Sequence, residues 1–134
     1  MRHFILIGIL YLIVFVSGCS TIQVEVAKEL QGTWVIEEFQ TEKGDVLWDE
    51  LKVNMLTFNE DGTFDPPLRD LQKREKALWK VEMRNDVIFL VISKAEDSIF
   101  NGDFKLNFSE RRQGDASLKV ILMSSNDLTM KCSK

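Results

Sequence analysis

The stretch Leu30-Gln31-Gly32-Thr33-Trp34-Val35-Ile36-Glu37-Glu38-Phe39 decides the fold of this 134-residue chain. A glycine opens an extended run in which Trp34 and Ile36 share one face while Val35 and Phe39 share the other. Aromatic and β-branched residues at that period read as a strand, with Trp34 as its anchor. The run breaks at Lys43-Gly44-Asp45, and Val46-Leu47-Trp48 follows.

Downstream the pattern repeats. Residues 53–59 form a second strand with Leu56 and Phe58 on one face. It ends at Asn59-Glu60-Asp61-Gly62 and resumes at Thr63-Phe64, the signature of a hairpin built on a type I turn with Gly62 at positive φ. A calcium loop would need acids at its first and twelfth positions; with Gly62 as the sixth, those positions hold Thr57 and Leu68. The acidic residues there belong to a turn.

Pro66-Pro67 stops that strand, and residues 68–78 carry the one charge-dense stretch, including Lys73-Arg74-Glu75-Lys76. Leu68, Leu71 and Leu78 lie at near-helical offsets, which predicts a short helix or a long connection with a solvated face. Trp79, Val81 and Met83 then alternate, and Asn85-Asp86 turns the chain. Residues 87–92 are apolar on both faces, which fits a fully buried strand or one between core and a packed loop. Phe104, Leu106 and Phe108 form another strand after Asn101-Gly102-Asp103, and residues 118–123 and 128–132 close the series.

These add up to about eight short strands separated by polar turns. The fold class is all-β: an antiparallel up-and-down barrel or half-open barrel, with one short helix or long connection. Residues 30–134 make one domain, and no repeat or low-complexity segment interrupts it.

The segment before Leu30 has a different character. Met1-Arg2-His3 is a short positive start, and Phe4 to Val16 is an apolar run. A spanning helix needs roughly 20 apolar residues, so this run reads as the core of an export signal. Val16-Ser17-Gly18-Cys19 then resembles the lipobox of bacterial lipoproteins, with Val16 where leucine is usual. That resemblance implies a signal peptide over residues 1–18 and a lipid-bearing Cys19. Residues 19–29 would be the lipidated cysteine and a tether, reaching at most about 30 Å. Ile22, Val24 and Val26 alternate, so the tether could also add a first strand. Two or more acyl chains hold a protein firmly to a bilayer, since each buried methylene contributes about 0.8 kcal/mol. The lipoprotein resemblance places the domain in the bacterial cell envelope. Ser20, in place of the aspartate that favours inner-membrane retention in that family, leans toward the outer membrane facing the periplasm.

The domain itself carries a second resemblance. Gly32-Thr33-Trp34 after Leu30, followed by Leu56-Thr57-Phe58-Asn59-Glu60-Asp61-Gly62-Thr63-Phe64, is similar to the small bacterial lipocalin-like domains. In such domains the Gly-x-Trp pair opens the first strand and the tryptophan plugs the closed end of the barrel. The Thr-Asp-Tyr signature of larger lipocalins is missing here.

Composition narrows the chemistry. The sign of the formal net charge, −4, argues against a nucleic-acid partner, which calls for a basic face to offset phosphates. The single histidine, His3, falls in the signal segment, so the domain has no imidazole for base catalysis, nucleophile activation or metal ligation. Tyr11 leaves with the signal as well, and Glu37 and Glu38, as strand neighbours, point to opposite faces. No acid, base and nucleophile assemble, so the chain reads as a non-enzyme with no cofactor and no metal. Cys132 sits at the tail of an alternating run and reads as a small apolar core residue.

Two functions fit. In the first, the barrel binds a small apolar ligand, with Trp34, Trp48, Phe58, Trp79, Phe89 and Phe104 as its lining. The chain has nine phenylalanines and three tryptophans, and all but Phe4 and Phe15 of the signal segment supply the aromatic bulk of the domain. In the second, the domain is a structural or accessory lipoprotein that docks to an envelope protein or inhibits it. An eight-stranded barrel can be filled by its own side chains, so a cavity distinguishes the two.

Overall fold

The computed structural model of the chain describes residues 21–71 and 76–134. Cys19 with the whole signal segment, and Lys73-Arg74-Glu75, lie outside the described residues.

Residues 21–30 are helical (α1). Leu30 is fully buried, and Val26 and Ala27 pack on the same core. The alternation of Ile22, Val24 and Val26 therefore does not make a strand: Ile22 and Val24 are exposed while Val26 faces inward, as helical spacing dictates. Gln31 N–H closes the last turn on Ala27 O (3.2 Å), and Gly32 at φ +108° then redirects the chain. Only glycine adopts that backbone angle without steric cost, so the residue that opens the first strand also ends the helix.

The strands follow in chain order: β1 Gly32–Thr41, the two-residue β2 Gly44–Asp45, then β3 Met55–Phe58 and β4 Thr63–Asp65. After the charge-dense connection come β5 Ala77–Arg84, β6 Val87–Ser93, β7 Gly102–Gln113, β8 Ala116–Ser124 and β9 Thr129–Ser133. A short helix α2, Leu47–Glu50, lies between β2 and β3, and a 3₁₀ turn, Ser98–Phe100, precedes β7. Within residues 68–78 the described residues 68–71 and Lys76 are irregular and Ala77 enters β5; the rest of the expected helix or connection lies outside the described residues.

β2 pairs only with β1, β1 pairs with β3, and from β3 each strand pairs antiparallel with the next until β9 returns to pair with β1. Leaving β2 aside as an extension of β1, the result is a closed eight-stranded up-and-down barrel. Local chemistry sets its hairpins. Asn59 N–H donates to Thr63 O (2.9 Å) and Gly62 N–H to Asn59 O (3.1 Å), with Gly62 at φ +86°. Asn85 and Asp86 both sit at positive φ (49° and 63°), the type I′ geometry that matches strand twist and that Asn and Asp tolerate better than other side chains.

One irregularity reshapes the core. The β1–β9 register shifts between Ile36 and Glu38, leaving Glu37 as a bulged extra residue. Beyond it the side-chain parity reverses. Phe39 therefore joins Trp34 and Ile36 inside, all three at most 1% exposed, instead of sharing the outer face with Val35. Strict alternation along this strand fails at that one position.

Both ends of the barrel are stoppered. At one end Val46, Leu47, Leu51, Phe100 and Leu128 are buried, with the Phe100 ring 6.1 Å from Phe39. The Asp45 carboxylate accepts from Phe39 N–H (3.3 Å) and Leu47 N–H (3.1 Å), and Arg69 bridges Glu50 (2.8 Å) and Asp97 (3.0 Å). At the other end Trp34 Nε1–H donates to Leu30 O (2.7 Å), and Lys119 pairs with Glu29 of α1 (2.7 Å). Lys134 Nζ donates to Glu29 O (2.7 Å) and Gln31 O (2.6 Å) and lies 4.4 Å from the Trp34 ring centroid. A cation thus meets the carbonyls at the C-terminal end of α1, where the helix dipole favours it.

Candidate functional site

Four of the six aromatic residues expected to line a pocket face the interior: Trp34, Phe58, Trp79 and Phe104. They are packed rather than poised. Phe58 stacks on Phe64 at 5.0 Å and meets Trp79 edge-on at 5.2 Å, while Trp79 Nε1–H donates to Asn59 O (2.9 Å). Trp34, Phe39, Phe64, Leu90, Phe104, Ile121, Met123, Met130 and Cys132 have no accessible surface at all. A side chain with zero accessibility borders no void large enough for a water molecule, so this part of the interior is filled to native density.

The other two lie elsewhere. Phe89 is half-buried on the outer wall, because Leu90 and Ile92 take the inner positions of β6 and neighbours on a strand alternate. The Arg84 guanidinium covers its ring at 5.3 Å, so a side chain from β5 does what a packed loop was expected to do. Trp48 is 83% exposed on α2, whose neighbouring Leu47 takes the buried position. As lining of the barrel interior, both are corrected.

The apolar surface that remains is external. Val35 and Met55 are direct cross-strand partners on the outer wall, 43% and 47% exposed. Beside them a groove is lined by Val53, Met55, Pro66 and Leu68, with Thr33, Thr57 and the carboxylate residue Asp65. Its floor is pinned by the Val53–Leu68 bridge, in which Lys52 N–H and Val53 N–H both donate to Leu68 O (2.7 and 3.2 Å). Thr33 and Thr57 hydroxyls hydrogen-bond across the rim at 2.9 Å. The alternation of Met55 against Leu56 and Phe58 is the sequence signal for this wall, and inspection of the inward face alone passes over it.

Two titratable groups near the β1–β9 seam are held in structure, Glu37 at the bulge and Cys132 in the core. The Arg111 guanidinium bonds the Glu37 carboxylate (2.9 Å for one contact) and, with a hydrogen bond from the Ser133 hydroxyl (3.0 Å), keeps Glu37 below the usual carboxylate range. Burial pushes the Cys132 thiol far up, with the nearby Glu37 charge adding to it, so the sulfur stays protonated and unreactive. Among the described residues no group of three or more His, Cys, Asp or Glu side chains could hold a metal ion.

No protein-family model, no curated protein and no solved structure matches this chain.

Proposed function

We propose that this chain is a lipid-anchored lipoprotein of the bacterial cell envelope whose barrel is a docking body for a protein partner. The observation that carries the reading is the filled interior: a carrier needs a chamber, and the side chains from Trp34 to Phe104 border none. The export signal, the Val16-Ser17-Gly18-Cys19 box and the outward apolar residues Trp48, Val35 and Met55 support it. Exposed tryptophan with scattered aliphatics is the composition of an interface anchor. Lipid on Cys19 would hold the domain at the outer membrane, facing the periplasm.

The second reading, carriage of a small apolar ligand, moves from the interior to the outer groove, where Val53, Met55, Pro66 and Leu68 supply apolar contact.

Two measurements test these readings. Labelled fatty acid fed to the cells should mark the wild-type protein and not Cys19→Ala; an unlabelled wild type, or equal label in both, would remove the anchor. Native mass spectrometry of the mature protein, soaked in envelope lipid extract, should give a bare mass beyond the anchor itself. A further adduct that disappears on denaturation would replace docking with carriage.

A further inference from the structure

The β7–β8 hairpin is longer than the barrel that supports it. β7 pairs with β6 only through Gly102 to Lys105, yet its pairing with β8 runs on to Gln113. From Leu106 onward the opposite edge of β7 has no strand partner among the described residues. The two-residue turn Gly114-Asp115 closes on the pair Gln113↔Ala116, and in a two-residue hairpin the closing pair is hydrogen-bonded. Pairing alternates from there, so Leu106, Phe108, Glu110 and Arg112 turn their N–H and C=O groups to the open edge.

Such an edge is a template for another strand, and its side chains decide which strand it accepts. Phe108 is 37% exposed, and Glu110 and Arg112 are exposed on the same side of the strand. Neither Glu110 nor Arg112 makes an ion pair among the described residues; the facing Lys119 is taken by Glu29. An apolar strand would leave both charges unanswered. A second β7, antiparallel about a twofold axis at Arg111, places each Glu110 opposite the other copy's Arg112 and aligns the free N–H and C=O groups of those two residues in both copies. A slip of two residues, the smallest that keeps the backbone groups aligned, opposes Glu110 to Glu110 in one direction and Arg112 to Arg112 in the other, and both are penalised. The two Arg111 side chains meet on the other face, each already neutralised by its own Glu37.

We propose that two copies of this chain pair edge to edge through β7, in the register that sets Glu110 against Arg112. The pairing is isologous, as a twofold contact must be. It does not rest on the lipid anchor.

The full chain, purified from whichever fraction holds it, should have the mass of a dimer by light scattering. Glu110→Arg or Arg112→Glu alone should lower the dimer association constant at least tenfold, and the double reversal should restore it. Glu110→Pro removes an N–H that points away from β8, so it should abolish the dimer while the far-UV spectrum and thermal midpoint hold. Arg111→Cys should cross-link under oxidation, and Asp115→Cys at the hairpin tip should not. A monomer at every concentration overturns the proposal. So does a dimer indifferent to the charge reversals and to Glu110→Pro, or an edge occupied only by a strand of another protein.

Discussion

Trp34 and Trp48 show how differently this molecule uses one residue type in two regions. Inside the barrel, Trp34 has no accessible surface, its indole N–H is satisfied by Leu30 O, and Lys134 lies over its ring. On the stopper at the opposite end, Trp48 is almost wholly in solvent on a four-residue helix. The first is a structural necessity, since a buried aromatic touches many neighbours at once. The second contributes next to nothing to the fold, which leaves it available for recognition.

The largest test of that contrast is paired truncation. Trp34→Ala should cost about 3–5 kcal/mol, most of the stability of a marginal domain, whereas Trp48→Ala should change stability by no more than about 0.5 kcal/mol. Urea midpoints of the two variants decide it, and similar losses would break the comparison. A smaller effect sharpens it. Lys134→Met keeps the apolar stem but removes the donors to Glu29 O and Gln31 O, and should cost about 1–2 kcal/mol. Hydrogen exchange should then rise across residues 21–30 while the strands stay protected; uniform loss of protection would mean that α1 and the barrel open as one unit.

The smallest effect is the acid response of the outer wall. Arg111 holds the folded Glu37 carboxyl below its ordinary value of 4.5, so the proton binds more readily to the unfolded chain. The stabilisation from this pair is complete above about pH 4.5 and is lost as pH falls through the lower folded value. Stability measured from pH 6 down to pH 3 should decline less steeply in Arg111→Gln than in the wild type. Equal slopes would place the acid sensitivity elsewhere.

Much of the architecture was legible in the residues. Turn chemistry marked the Gly62 and Asn85-Asp86 hairpins, and period-two alternation marked most strands, because both are local signals. The misreadings came from non-local causes. Phe39 changed face because β9, arriving from the far end of the chain, pairs with β1 in a register that forces a bulge at Glu37. Phe89 lies in a run that is apolar on both sides, so only the assembled sheet decides which side is core. The segment 21–30 fits both strand and helix periods over its few apolar positions, and packing of Val26, Ala27 and Leu30 selects the helix. Trp48 depends on how α2 lies on the barrel end, which no pattern in Val46-Leu47-Trp48 records. The candidate site was the least legible part: Met55 alternates with Leu56 and Phe58 as an outward strand residue does, but nothing in that spacing records which outward apolar residues gather into a groove.

The ring closure between β1 and β9 has a temporal consequence. A chain made from its N-terminus presents β1 long before β9 exists, so the barrel cannot close while β9 is still to come. Until then β1 and β8 are two bare edges, and the seam that joins them is among the most sequence-distant contacts in the molecule. Assembly therefore waits on β9, and the interval before it arrives is when this protein most needs shielding from its neighbours.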